Sequence, residues 1–138
     1  MPLKQAQNVV TIVQTLGLQQ QYHGLMEAAT KYENNIQKAK AGMSRNEEEM
    51  QALPDDIERA SMRGQPQQEA ELTHALETTR PKEHQMYAKW AKRLSKKLEQ
   101  EASATLQTLP IQDLVPKNRA ITEGDMKQII KRVEKKED

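Results

Sequence analysis

Apolar positions along this chain recur at helical spacing almost throughout, and nowhere do they alternate as a half-buried strand requires. The first segment carries Leu3, Ala6, Val9, Val10, Ile12, Val13 and Leu16, most of which share one broad face at about 100° per residue. Pro2 suits a first helical turn and Gly17 suits a helix end, so an N-terminal amphipathic helix is predicted over 1–17.

The strongest pattern follows. Leu18, Tyr22, Leu25, Ala29, Tyr32, Ile36, Ala39 and Met43 lie alternately four and three residues apart, which is the a/d spacing of a helix–helix seam. The register runs on through Asn46, Met50, Leu53, Ile57 and Ala60. Asn46 is its one polar member: it either fixes register or partner number, as a polar residue at such a position often does, or faces solvent where the helix is interrupted. Ser44 with Glu47 resembles a capping box, and Pro54-Asp55-Asp56 resembles a fresh helix start. A bend or short break is therefore expected near 42–44 and again near 53–54.

Arg63-Gly64-Gln65-Pro66 is the clearest turn, with Gly ending one helix and Pro opening another. Helix resumes at about 67, Pro81 reads as a further first-turn position, and Pro110 stops the run after Leu109. Its expected buried set is Tyr87, Ala91, Leu94, Leu98, Ala102 and Leu109, with Trp90 on the flank. Arms 18–63 and 67–109 are nearly equal, and equal amphipathic arms around a tight turn predict an antiparallel hairpin over 18–109. Met50 should then fall near Thr79, and Ile36 near Arg93. Residues 110–121 read as a polar, irregular connector. Residues 122–138 read as a last helix, entered through Thr122-Glu123-Gly124-Asp125, with Met126, Ile129, Ile130 and Val133 on one stripe. The predicted fold class is all-α: a long antiparallel helical hairpin of coiled-coil type, with an N-terminal amphipathic helix and a C-terminal helix.

Composition changes this picture in one respect. Leu, Ile and Val make up about 17% of the chain, below the roughly 20% at which disorder becomes a possibility, though a net charge of only +1 argues against it, and Phe is absent. Such a chain lines narrow seams rather than filling a core, so pairing with other helices is expected. The set Leu18, Tyr22, Leu25, Ala29, Tyr32, Ile36, Ala39, Met43, Met50, Leu53 and Ile57 is the candidate oligomer seam.

Charge adds a second feature. The net charge is only +1, but residues 44–79 are strongly acidic and residues 80–97 strongly basic. Lys82, Lys89, Lys92, Arg93 and Lys96 share a face turned away from Tyr87, Ala91, Leu94 and Leu98. Two readings follow: a solvated face balanced by acids of a neighbouring helix, or a polyanion-binding row. Trp90 at the edge of that face is better explained by packing than by base stacking.

Chemistry is not indicated. There is no Cys, the three histidines (His23, His74 and His84) form no i, i+4 pair, and the acidic runs lack calcium-loop spacing. The glycines stand singly, so no phosphate loop is present, and no catalytic, metal or cofactor-binding residue is expected. No apolar run reaches bilayer-spanning length and the N-terminus does not read as a secretory signal, so a cytoplasmic or virion setting is expected and a membrane partner is not. The expected function is that of a non-enzymatic structural or assembly protein, such as a scaffold, chaperone-like or virion component. It would self-associate or dock on a larger complex through helix–helix seams. The alternative is a nucleic-acid-binding helical protein, such as a filamentous-virus coat subunit, using the basic face of residues 82–96.

Overall fold

The computed structural model describes residues 1–137, and among these there is no strand. The elements are α1 (Leu3–Thr15), α2 (His23–Met62), α3 (Pro66–His74), a π-helical turn (Ala75–Thr79), α4 (Arg80–Thr108), a 3-10 turn (Gln112–Leu114) and α5 (Glu123–Glu137). The all-α expectation holds, and two long helices pack against each other as the equal arms predicted. The chain divides into two compact units. One comprises Met1–Asn34 with Leu94–Asp138, and the other comprises Asn35–Arg93. Helices α2 and α4 each contribute a segment to both.

In the first unit α1 ends on a left-handed glycine. Gly17 has φ +70°, its N–H donates to Gln14 O (3.2 Å), and Leu18 N–H donates to Val13 O (2.9 Å). That pair of bonds is a Schellman closure, which satisfies carbonyls the helix end would leave open. Leu18–Tyr22 then form turns, so α2 starts at His23 and not at Leu18: the closure at Gly17 redirects the chain before a new helix can nucleate. Ala6, Val9, Ile12 and Val13 are fully buried, and Leu25, Leu98, Ala102, Ile111 and Ile129 join them in the core of this unit.

The connector after Pro110 is more ordered than its polarity implied. Ile111 and Val115 are buried, and the 3-10 turn lies between them. Asn8, itself buried, reaches it with both ends of its amide. Its Nδ2 donates to Pro116 O (2.9 Å) and Arg119 O (2.8 Å), and its Oδ1 accepts from Ile121 N–H (3.0 Å). Thr122 caps α5 reciprocally with Asp125: Asp125 N–H donates to Thr122 Oγ1 (3.1 Å), and Thr122 N–H donates to Asp125 Oδ2 (3.0 Å).

The second unit is a two-helix hairpin. At its tip Gly64 (φ +67°) repeats the Schellman closure, with Gly64 N–H to Ser61 O and Gln65 N–H to Ala60 O, and Pro66 opens α3 where no intrahelical donor is needed. The breaks expected near 42–44 and 53–54 do not occur, because α2 runs through both. The helix is continuous from Gly42 through Glu47, so Ser44 does not act as a cap, and Asn46 donates Nδ2 to Gly42 O (3.0 Å). Pro54 is exposed on the helix interior and forfeits one backbone bond, while Leu53 stays buried and Ile57 half-buried. Retaining the seam outweighs one lost bond. Pro81 takes the first-turn position expected of it, as the second residue of α4, and the π turn before that helix closes with Arg80 N–H reaching back five residues to Ala75 O.

Candidate interaction surface

Within the second unit the seam is defined by three cross-helix relationships. Tyr87 of α4 stands against Gly42 of α2, so close that a β-carbon at residue 42 would meet its ring at 2.6 Å. Arg80 Nε lies 2.8 Å from Glu49 Oε2, while its Nη1 donates to Glu83 Oε2 at 2.9 Å, so one guanidinium ties the two helices together. His84 Nε2 lies 3.0 Å from Glu47 Oε1. Glu49 with Arg80 and Gly42 with Tyr87 obey the antiparallel register that pairs Met50 with Thr79 and Ile36 with Arg93.

Asn46 sits in this seam at 3% exposure, and its Oδ1 finds no donor among the described residues. Its position at the polar a/d site is therefore a buried one and not a solvent-facing one. Of the candidate seam residues, Leu25, Ala29, Tyr32, Ile36, Ala39 and Leu53 are buried, while Leu18, Tyr22, Met43, Met50 and Ile57 are half-buried. Leu18 and Tyr22 lie in the turn before α2, where Tyr22 Oη meets Thr108 Oγ1 at 2.6 Å. Trp90 is half-buried beside Tyr87, with ring centroids 6.5 Å apart, which is a seam-edge position.

All five candidate cations are exposed, and none forms an ion pair among the described residues. Lys82, Lys89, Lys92 and Arg93 belong to the second unit, and Lys96 to the first. The acids of α2 contacted across the seam, Glu49 and Glu47, meet Arg80 and His84 instead. Arg80 belongs to the basic segment 80–97 but not to that row. Its position two residues before Lys82, hence on the opposite side of the helix, was the available signal.

In the first unit the most defined polar group is Arg119 with Asp125. Arg119 Nη2 donates to Asp125 Oδ1 at 3.2 Å, and its Nη1 donates to Oδ2. The guanidinium, helped by the Thr122 backbone N–H, holds the Asp125 carboxyl well below the usual carboxylate range. A cleft of about 410 Å³ beside it is lined by Asp113, Pro116, Arg119, Thr122 and Gln128. Arg119 is committed to Asp125, so the pair fastens the start of α5. The histidines remain dispersed: His23 lies 4.0 Å from Glu27, and His74 is exposed. No helix among the described residues is long and apolar enough to cross a membrane. The chain matches no family model, and no curated protein or solved structure resembles it at a significant level.

Proposed function

We propose that this chain is a non-enzymatic assembly module whose two-helix unit docks, helix on helix, against other helical surfaces. One observation carries this reading: no residue from 66 to 93 is buried, although Leu72, Leu76, Tyr87, Trp90 and Ala91 all lie half-covered. Two helices touch along a single line, so each keeps apolar flanks that a third or fourth helix would close in a bundle. Met62 at 81% and Met86 at 70% exposure add unbranched, adaptable side chains of the sort that suits an interface.

Light scattering across a range of protein concentrations tests the proposal. The expected result is a mass above that of the monomer that rises with concentration and falls when Leu76 is replaced by Lys. A monomeric mass at every concentration, with cooperative melting, removes self-association. A second reading, nucleic-acid binding, rests on the exposure of Lys82, Lys89, Lys92, Arg93 and Lys96. It predicts a complex with a short duplex that weakens with salt at a slope of about −0.9 per phosphate neutralised.

A further inference from the structure

We propose that the two charged edges of the second unit join copies of this chain head to tail, with α4 of one copy lying along α2 of the next. The proposal rests on the assembly reading and names its partner, a second copy, and its geometry.

The edges follow from the seam. Arg80 and Tyr87 of α4 face α2, and a step of two residues turns a side chain by about 200° around a helix. Lys82 and Lys89 stand two residues beyond them and so point away from the seam, with Lys92 one turn further on. On α2, Asn46, Leu53 and Ala60 are buried, and Glu48, Asp55 and Glu58 each lie two residues from one of these, again facing outward. All six charged groups are exposed, and none is in an ion pair among the described residues. The neighbouring acids are already engaged: Glu47 by His84, Glu49 by Arg80, and Asp56 by Arg59. What remains is a largely acidic edge of α2, in which the one cation over residues 48–59 is Arg59, already paired with Asp56, and a basic edge of α4 on the opposite side of the same hairpin.

The spacing of the two edges matches. Glu48, Asp55 and Glu58 are separated by seven and three residues, and so are Lys82, Lys89 and Lys92. Laid parallel, a register that sets Lys82 beside Glu48 also sets Lys89 beside Asp55 and Lys92 beside Glu58. The same register brings Met86, the exposed apolar residue within the cationic row, onto Ala52, an exposed small residue within the acidic one. Charged positions flanking an apolar contact are the arrangement that selects partner and orientation in paired helices. Each surface ion pair is weak by itself, so three in register with an apolar centre are needed.

Opposite-facing edges cannot both meet those of one partner around a two-fold axis, because closing one contact carries the other edge to the far side. The contact is therefore heterologous, and repeating it gives a ring or an open filament instead of a closed dimer.

Sedimentation velocity on the full chain tests this with reciprocal charge swaps. Wild type should grow past dimer as its concentration rises at low salt. It should fall back to small species at about 1 M salt, where the Debye length is only about 3 Å. Lys82→Glu/Lys89→Glu/Lys92→Glu has two acidic edges and Glu48→Lys/Asp55→Lys/Glu58→Lys two basic ones, so each alone should lose association by more than about tenfold. An equimolar mixture of the two should recover growth, as should the six-fold swap alone, in which both edges are reversed at unchanged net charge. Recovery requires both variants to be folded, and circular dichroism reports helix content directly. A mixture and a six-fold swap that both stay unassembled overturn the proposal, and so does a wild type that stops at dimer. Association that persists in high salt and in both triple swaps also overturns the edge pairing, while leaving docking through the apolar flanks standing. A wild type that is monomeric throughout overturns both readings. If that monomer binds a short RNA through the lysines, the basic edge belongs to a polyanion.

Discussion

The ring of Tyr87 occupies the space that a side chain at residue 42 would need: a β-carbon on Gly42 would meet three of its ring atoms at 2.6 Å. Glycine at that point of α2 weakens the helix by about 1 kcal/mol relative to alanine, and the close approach of Tyr87 is what makes its retention intelligible. Gly42→Ala should therefore change sign with its surroundings. In the wild type it should destabilise by up to about 2 kcal/mol, since overpacking typically costs about 1–3 kcal/mol against the roughly 1 gained from helix propensity. In a Tyr87→Ala background, where the ring is gone, it should stabilise by about 1 kcal/mol. Urea titration of the four members of this cycle measures the coupling. Equal effects in both backgrounds would mean that α2 and α4 do not pack at this point.

Asn46 offers a test of opposite direction. A buried amide oxygen without a donor carries its desolvation penalty uncompensated, so Asn46→Leu should raise stability by about 1–2 kcal/mol. The same change removes the one polar constraint on the seam, and the distribution of oligomeric species should broaden in light scattering. A loss of stability on making this change would show that the Oδ1 has a partner in solution.

Asn8 joins α1 to the connector through three hydrogen bonds to backbone groups. Asn8→Leu leaves two carbonyls and one N–H without it, and should cost about 2–4 kcal/mol. Hydrogen exchange at the Ile121 amide should accelerate more than exchange at amides in the middle of α2. Uniform acceleration across the chain would indicate a general loss of packing instead of a loosened connector.

Asp125 predicts a pH dependence whose sign is fixed by its lowered folded-state pKa. The unfolded chain binds the proton more readily, so the contribution of the Arg119–Asp125 pair is fully present above about pH 5. It is lost progressively as the pH falls below the ordinary value of 3.8 toward the lower folded-state value. The stability difference between wild type and Asp125→Asn should thus be flat from neutral pH down to about 5 and shrink in acid. A difference that grows as pH falls would contradict the pairing.

How far the sequence could be read depended on whether a signal was local or required a second segment. The hairpin was legible because Gly64-Gln65-Pro66 is a local turn and the four-and-three spacing of Ile36, Ala39, Leu53 and their neighbours records one continuous seam. The capped start of α5 at Thr122 was legible for the same reason. The breaks expected at Ser44 and Pro54 were wrong because local punctuation loses to a long seam: interrupting α2 would have sacrificed the burial of Leu53 and Ala60. The role of Asn8 was invisible, since a buried asparagine within a polar-looking stretch acquires meaning only when Pro116, Arg119 and Ile121 come beside it. The charged row of α4 was visible as a row, but the pairing of Arg80 with Glu49 was not, because it needs a second helix.

The π-helical turn at Ala75–Thr79 acts as a phase shifter in the returning arm. One wide turn holds an additional residue without ending the helix, so the residues before it and those after it keep different angular offsets along the same rod. Leu72 lies before this turn, Leu76 within it, and Tyr87 and Ala91 after it, and all four are half-buried. Pro81 holds the offset in place, because regular α-helical bonding through it would lack the N–H that residue 77 needs. Removing one residue from this turn would therefore act at a distance. The segment carrying Tyr87 would stay seated on Gly42, while the tip-proximal turns swung their apolar side chains off α2. The tip of the hairpin and its shaft are in this sense separately indexed, and the chain can lengthen or re-aim one without re-registering the other.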